Sequence, residues 1–353
     1  MKVVSFGEIM LRLSPDGYYK LFQKPELNTS FCGAEANVAV ALSNFGDEAE
    51  FVTALPDNDI GRAACRELMR YGVKTDNIVY TGDRLGIFFA EKGASQRPSK
   101  VIYDRKNSAI ASADPSSFDW EKIFDGADWF HITGITPALS DSLARISVDA
   151  VKAAKKAGLT VSCDINYRSK LWSAEKARPV MTEIMQYVDV CIGNEEDADI
   201  VFGIKAGATD VTKGQLDTDG YKKSLQTVAE TFGCKIVAYS QRKSYSASDN
   251  GWSGIIYDDE KKQVYTSAQY DIRITDRIGG GDAFASGLIY ALHNNILPEN
   301  AIETAAAAGC LDQTLEGDFC LFGINEVLDL ANGDSSGRVK SCLLYTSPSP
   351  RDA

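Results

Sequence analysis

The sequence is poor in histidine and in long apolar stretches, and both shortages exclude classes of protein. Only two histidines occur among 353 residues, His131 and His293, and they lie far apart. Two distant histidines argue against a histidine-based zinc site and against a Ser-His-Asp triad. No stretch reaches the ~20 consecutive apolar residues that a membrane helix needs. The first seven residues lack the apolar core and cleavage site of a signal peptide and are typical of a buried strand.

Paired cysteines and a basic surface are lacking as well. The eight cysteines form no CxxC pair, and several, such as Cys191, stand in apolar runs. In a chain of this length, reduced thiols in a cytoplasmic interior are a better interpretation than a disulfide scaffold. The net charge of −12 argues against nucleic acid or an anionic membrane as a partner, since both bind basic surfaces. An anionic ligand would need a few well-placed arginines and backbone N–H groups.

What the chain does contain is a regular alternation of β-rich and helix-like segments. Apolar runs at 129–133, 160–164 and 188–192 are separated by helical patterns at 142–157 and 174–187. This alternation predicts an α/β fold, with a doubly wound, mostly parallel sheet flanked by helices on both faces. In such sheets, ligands bind beyond the carboxyl ends of the strands.

Three segments depart from the alternation. Residues at about 12–32 and 84–106 combine short strands, turns and aromatic side chains, and they could form a small β lid or be two ordinary surface excursions. After Asn332 the apolar periodicity stops. Residues 342–353, rich in serine and proline, are predicted to be a disordered tail of non-native origin, which leaves residues 1–341 as the folded domain.

The sharpest local signal is a run of three glycines, Gly279, Gly280 and Gly281, that leads through Asp282 into an apolar helix. Backbone N–H groups at a helix N-terminus form a concavity for a phosphate or a developing anion. Asp282 could accept a proton from an alcohol while those groups hold the transferred phosphoryl group. The alternative is a glycine-rich turn whose aspartate caps the helix. The GxGxxG pattern fails at Phe284 and GxxxxGK[ST] is absent, which argues against dinucleotide and P-loop enzymes.

A second motif opens a helix of small residues. Gly33 begins this helix, where the backbone can approach a ligand closely, and Asn37 can offer its amide to hydroxyl groups. The alternative is a tightly packed, alanine-rich core helix with a satisfied asparagine.

In this order, the two motifs resemble the two signatures of the PfkB (ribokinase-like) carbohydrate kinases, and the resemblance extends from Gly7 to about Asn332. It implies one kinase domain with a β lid that closes over the sugar, with ATP and Mg²⁺ as cofactors. It also implies that Asp282 is the catalytic base and that the three glycines supply the anion hole. Arg277 and Gly280 are slight departures from residues that the family often has there.

The resemblance extends to the nucleotide side. Asn194 to Asp197 resembles the magnesium-associated NxxE motif, with Asp197 in place of the final glutamate, and would act on the metal through water. The segment from Ser240 to Arg242 resembles the loop over the phosphates. The implied ATP-binding residues are Asn194, Ser240, Arg242, Gly279, Gly281, Ala307 and Cys310.

Several segments resemble the kinases of 2-keto-3-deoxygluconate in particular, including 7–15, 103–105, 164–168 and 246–253. A sugar acid carries a carboxylate, and arginine can bind it bidentately. The two candidates for this contact are Arg105 and Arg168, and the alternative for each is an ordinary surface ion pair. Phe89 takes a lid position where relatives tend to have tyrosine. The substrate-binding residues expected from the resemblance are Gly33, Asn37, Phe89, Tyr103, Arg105, Arg168 and Asp282.

Two alternatives to a sugar-acid kinase stay open at this point. One is a fructokinase, ribokinase or nucleoside kinase of the same family, whose substrates lack a carboxylate. The other is a non-catalytic sugar-sensing protein on the same fold. We further expect a cytoplasmic protein and a homo-oligomer formed through the lid, because exposed edge strands can pair between subunits.

Overall fold

The computed structural model describes residues 2–206 and 218–337, so the predicted tail at 342–353 lies outside the described residues. Strands and helices alternate along most of this range. The strands, numbered along the chain, are β1 Lys2–Phe6, β2 Met10–Ser14, β3 Asn28–Cys32, β4 Glu48–Val52, β5 Ala54–Leu55, β6 Val79–Tyr80, β7 Gly86–Glu91, β8 Lys100–Asp104, β9 Trp129–Thr133, β10 Thr160–Asp164, β11 Val190–Gly193, β12 Ile236–Ser244, β13 Asp249–Asp258, β14 Gln263–Thr266 and β15 Tyr270–Arg273.

The helices lie between these strands and after the last of them. They are α1 Ala34–Phe45, α2 Asp59–Arg70, α3 Trp120–Ile123, α4 Asp141–Lys156, α5 Ala174–Met185, α6 Glu195–Phe202, α7 Thr218–Phe232, α8 Gly280–His293, α9 Pro298–Asp312 and α10 Ile324–Ala331. No described helix is both long enough and apolar enough to cross a membrane.

The main sheet has the strand order β14-β13-β12-β11-β10-β9-β1-β4, with β15 also paired to β13. Neighbours from β4 to β12 are parallel, whereas β12 to β15 pair in antiparallel fashion. One apolar core packs α1, α8 and α9 against one face, and a second packs α4, α5 and α7 against the other. The central strands are buried throughout, as parallel strands covered on both faces should be. The predicted doubly wound α/β fold is confirmed.

A separate four-stranded sheet, in the order β3-β2-β7-β8, forms the lid that the sequence predicted. Opposite residues on neighbouring strands share a face of a sheet. Arg12 pairs with Phe88, and Phe88 pairs with Tyr103, so these three lie on one face of the lid. Leu13 pairs with Phe89 on the other face. Because successive side chains of a strand point to opposite faces of the sheet, only every second lid residue can face a substrate.

The glycine run forms a sharp entry into α8. Gly279 precedes the helix with φ 103°, in the left-handed region that favours glycine. Its backbone also needs a small residue, because a Cβ there would lie 2.5 Å from the main-chain oxygen of Asp318 and 2.8 Å from Asp312 Oδ2. The turn thus delivers Asp282 to the first turn of α8.

Candidate active site

Asp282 and Asn37 meet at the facing ends of two helices. The Nδ2 atom of Asn37 donates to Asp282 Oδ2 at 2.6 Å, and the backbone N–H of Gly33 donates to Asn37 Oδ1 at 3.2 Å. The two motifs that the sequence singled out therefore form one hydrogen-bonded unit. A Cβ on Gly33 would collide with the main-chain oxygen of Glu8, so only glycine allows this close packing. The amide of Asn37 holds one carboxylate oxygen and leaves the other available for a substrate.

The surroundings of Asp282 control its protonation. Burial raises its pKa well above the ordinary value, and the nearby carboxyl groups of Asp164 and Glu35 raise it further. The hydrogen bond from Asn37 and the positive charge of Arg168 lower it. These opposing contributions are typical of a group that exchanges a proton during catalysis.

The glycine turn presents free backbone donors beside this carboxyl group. The first N–H groups of an α-helix have no partner within the helix, and here they belong to Gly280, Gly281 and Asp282. Gly281 is exposed, and an added Cβ there would meet no atom within 4 Å. Together with the helix dipole, these donors can bind an anion next to Asp282.

Arg168 lies beyond the carboxyl end of β10, where ligand sites occur in such sheets. Asn166, two residues earlier, takes the left-handed conformation with φ 39° and turns the chain there. The guanidinium donates to the main-chain oxygen of Tyr167 at 2.9 Å and makes no ion pair within the described residues. Its charge lowers the pKa values of Asp282, Asp164 and Tyr103, so it faces all three groups. Arg168 is an exposed cation in a site that also holds the candidate base.

Arg105 has a different environment from Arg168. It is buried at the base of the lid and forms an ion pair with buried Glu8, with Nε 2.7 Å from Glu8 Oε2. Ser108 donates to the other oxygen of Glu8 at 2.5 Å. The guanidinium also lies 5.4 Å from the ring centroid of Tyr103. Glu8 offsets much of the charge of Arg105, which leaves Arg168 as the stronger attraction for an anion.

The prediction for Phe89 is wrong in its placement. Phe89 lies on the outer face of the lid, where its ring centroid is 5.8 Å from that of Phe22. Its neighbour Phe88 is buried on the inner face and lies 5.7 Å from Tyr103 between ring centroids. Since side chains alternate along a strand, an assignment displaced by one residue moves to the opposite face.

The acidic residues at the start of α6 have different surroundings. Asp197 is buried and accepts hydrogen bonds from Asn194 Nδ2 at 2.9 Å and from the backbone of Tyr167 at 3.2 Å. Burial, with Asp164 nearby, raises the pKa of Asp197 to about 7, and burial raises that of Asp164 to about 6. Glu196 is exposed. Asp197 and Asp164 are therefore two neighbouring buried carboxyl groups whose charged forms are disfavoured.

The segment from Ser240 to Arg242 was expected to be a loop, but it belongs to β12, which continues to Ser244 and forms a hairpin with β13. Arg242 is exposed. Burial lowers the pKa of Arg277, just before the glycine turn, and the nearby charge of Arg242 lowers it further. The Nη2 atom of Arg277 donates to the main-chain oxygen of Ser246 at 3.2 Å. Two cations thus stand together at the glycine turn, as phosphate groups require.

The two residues expected near the adenine have different surroundings. Ala307 is fully buried within the core and exposes no surface, so its prediction as a binding residue is wrong. Cys310, one helical turn later, lines a cavity of about 730 Å³ together with Tyr270, Leu311 and Phe322. Of these two residues, only Cys310 lines the cavity.

Sequence reasoning missed the residues that support the site. Glu8, Arg12, Asp164 and Asp276 stood within segments that were noted, but without a role. Asp318 gave no signal, because its partner Arg12 is more than 250 positions away in the sequence.

Comparison with known proteins places this geometry in context. Residues 1–318 match the family model described as pfkB family carbohydrate kinase. The 2-dehydro-3-deoxygalactonokinase of Haloferax volcanii is 32% identical over 337 residues, which cover 95% of this chain and 98% of that protein. The 2-dehydro-3-deoxygluconokinase of Bacillus subtilis is 25% identical, over 90% of this chain and 91% of that protein.

A solved structure is similar as well. The crystal structure of the 2-dehydro-3-deoxygluconokinase from Thermotoga maritima superposes with a TM-score of 0.91 and is 48% identical, with 94% of this chain and 100% of that one covered.

Proposed function

The chain belongs to the pfkB family of carbohydrate kinases, and we propose that it transfers the γ-phosphoryl group of ATP to the terminal hydroxyl of 2-keto-3-deoxygluconate. The observation that carries the choice of a sugar acid is Arg168. This guanidinium is exposed, lacks an ion pair within the described residues, and faces the candidate base. A neutral sugar would not require such a cation, whereas a carboxylate would.

In the proposed reaction, Asp282 takes the proton of the sugar hydroxyl as its oxygen attacks the γ-phosphorus. The new O–P bond forms while the bond from the γ-phosphorus to the bridging oxygen breaks, and ADP leaves with that electron pair. Asn37 holds the carboxylate so that its free oxygen meets the hydroxyl. The contribution of Asp282 is both position and proton acceptance.

The developing negative charge would be stabilised by the backbone N–H groups of Gly280 and Gly281 and by the helix dipole. Arg242 and Arg277 would hold the phosphate chain, in keeping with their position next to the glycine turn. Asn194 and Asp197, which are hydrogen-bonded to each other, would hold Mg²⁺ through its water with Asp164 nearby, and the ion would neutralise phosphate charge. The cavity lined by Cys310 and Tyr270 is the proposed seat of the adenine.

On the sugar side, Arg168 would bind the carboxylate, with Tyr103 against the sugar carbons. Arg105, whose charge Glu8 offsets, would contact the neighbouring oxygens as a hydrogen-bond donor. The inner-face phenylalanine, Phe88, gives an apolar contact but no hydrogen bond. The gluconate and galactonate forms differ in one hydroxyl group, and relatives named for each form are similar to this chain.

The test is ADP release from Mg-ATP with 2-keto-3-deoxygluconate, its galactonate epimer, fructose, ribose and adenosine. The wild-type protein should prefer a sugar acid. Arg168→Met should raise the KM for the sugar acid roughly tenfold to a hundredfold, because a charge-assisted contact is lost. Lys170→Met, an exposed neighbour, is the matched control.

A preference for a neutral sugar would overturn the sugar-acid proposal, and Arg168 would then be an ordinary surface residue. A preference for the galactonate epimer would correct only the epimer.

The outer face of the lid, defined as Leu13, Phe22, Phe89 and Ile102, supports a homo-oligomer formed through the lid. Phe22 is 68% exposed and has a φ of 63°, a strained conformation for a bulky residue. Ile102 is 43% exposed. Exposed apolar side chains grouped in this way are typical of a protein interface. The proposed partner is a second copy of this chain.

A cytoplasmic location is the remaining part of the proposal. The seven cysteines of the described residues are all free thiols, and five of them are buried. Reducing compartments maintain thiols in this form.

A further inference from the structure

We infer that Arg12 is a positioning residue, which ties the glycine turn of the anion site to the lid; this inference rests on the proposed function. Arg12 belongs to lid strand β2 but is only 3% exposed. Its Nη2 lies 2.6 Å from Asp276 Oδ2 and its Nη1 lies 2.7 Å from Asp318 Oδ1. Its Nε donates to Ser14 Oγ at 2.8 Å. The planar guanidinium thus bridges two carboxylates that are remote in sequence.

Those two aspartates stand on either side of the glycine turn. Asp276 Oδ1 accepts the backbone N–H groups of Arg277 at 2.8 Å and Ile278 at 3.4 Å, which fixes the chain immediately before Gly279. The main chain of Asp318 packs directly against Gly279 from the other side. A group that holds both aspartates therefore sets the width of the slot in which the turn lies.

The charges explain why a guanidinium is needed there. Asp276, Asp312 and Asp318 are all buried; burial raises the pKa values of Asp312 and Asp318, and the neighbouring carboxyl groups raise them further. Oδ2 of Asp312 is buried and has no hydrogen-bond partner among the described residues. Arg12 is the cation that lowers the pKa of Asp318. Removal of one partner from a buried ion pair leaves an uncompensated charge, so without Arg12 the carboxylates would move apart.

The link to the lid follows from the strand register. Arg12 pairs with Phe88, and Phe88 pairs with Tyr103, on the lid face that covers the sugar site. A shift of β2 would carry the guanidinium with it and release Asp276 and Asp318. The N–H donors of Gly280 and Gly281 would then lose their alignment with the phosphoryl group. Arg12 therefore couples the position of the lid to transition-state stabilisation, with no contact to substrate.

The experiment compares Arg12→Lys and Arg12→Met with Arg84→Met. Arg84 is a lid arginine with a surface partner, Asp104, at 2.8 Å, and it serves as the matched control. Steady-state kinetics with the sugar acid give kcat and KM separately, and thermal unfolding reports folding. Arg12→Met should lose about a hundredfold in kcat, as when an oxyanion donor is misplaced, while its KM for the sugar acid changes less than threefold.

Added guanidinium ion, well below denaturing concentrations, should restore at least tenfold of the kcat of Arg12→Met and should not affect Arg84→Met. Arg12→Lys should lose at least tenfold, because an ammonium group cannot bridge both carboxylates. The inference is overturned if either Arg12 variant keeps kcat within threefold of wild type. It is equally overturned if kcat and the unfolding midpoint fall together without rescue, since that outcome shows a purely structural role. Wild-type protein without turnover on a sugar acid would instead contradict the proposed function.

Discussion

At the scale of single residues, the proposed catalytic base is one carboxyl group whose protonation several neighbours adjust. Burial, Asp164 and Glu35 favour the neutral form of Asp282, whereas Asn37 and Arg168 favour the charged form. A base must be charged before the reaction, so the last two residues keep Asp282 competent at neutral pH. The hydrogen bond of 2.6 Å from Asn37 is the most direct of these contacts.

The pH dependence of kcat/KM tests this balance. Activity should fall as pH decreases through the raised pKa of Asp282, since protonation removes the base. Asn37→Ala removes a bond to the charged form, so the pKa should rise and the acidic limb should move to higher pH. Asn37→Asp should move it further, because a second negative charge is added. Asp282→Asn, inactive at every pH, is the control, and an unshifted limb in both Asn37 variants would contradict the assigned base.

The same scale shows where sequence reasoning succeeds and where it stops. Asp282, Asn37 and the glycines stand in local motifs whose chemistry depends on neighbours in sequence, and the structure brings the two motifs together as a hydrogen-bonded pair. Phe89 was misplaced because nothing in an apolar run such as Phe88-Phe89 marks which residue faces inward. Ala307 failed because burial within a helix pair depends on distant packing.

At the scale of elements, β9 carries a buried histidine that affects stability rather than catalysis. His131 is fully buried, with Nδ1 2.9 Å from Ser162 Oγ, which also accepts a hydrogen bond from Trp129 Nε1 at 2.8 Å. The hydroxyl group of Ser162 thus joins Trp129 and His131 in one buried network. Burial lowers the pKa of His131 to about 3.

This shift predicts an acid sensitivity of the fold. In the unfolded chain His131 binds a proton below about pH 6.5, but in the folded chain it does so only near pH 3. Stability is therefore lost progressively as pH falls through this window, by about 2 kcal/mol at pH 5. Urea unfolding of His131→Gln between pH 7 and pH 5 should show a smaller decrease in the free energy of unfolding than wild type. An equal decrease in the free energy of unfolding for the two proteins would refute the assignment of this acid sensitivity to His131.

Element existence was largely predictable, whereas element contacts were not. The strands at 129–133 and 160–164 appear at the predicted positions, since buried parallel strands give uninterrupted apolar runs. The extension of β12 to Ser244 was missed because its outer half is polar and pairs with β13 beyond the core. Arg12 stood in a noted segment but without a role, because its two partners come from segments joined only by the fold.

At the scale of the whole molecule, an acidic protein presents a small group of cations to its ligands. The net charge is −12, yet Arg168, Arg242 and Arg277 make no ion pairs within the described residues. Negative charge elsewhere reduces nonspecific anion binding, while the cleft attracts anions locally.

Association through the outer face of the lid is testable by mass in solution. Phe22→Asp and Ile102→Asp place a charge in the proposed interface and should shift an oligomer to monomer in light-scattering measurements, because burial of an unpaired charge is costly. Leu297→Asp alters an exposed apolar residue outside the lid and should leave the mass unchanged. Wild-type protein that is monomeric at micromolar concentration would refute the proposed interface.

The buried thiols differ in how far the structure must open before each of them can react. Cys32, the last residue of lid strand β3, is buried beside Asp318, and burial raises its pKa. A thiol-specific reagent reacts with the exposed thiolate, so it can modify Cys32 only while the lid is parted from the glycine turn. Cys163 and Cys191, deep in the main sheet, require a larger opening of the fold before they react. The order in which these cysteines are labelled would separate local breathing of the lid from unfolding of the whole chain.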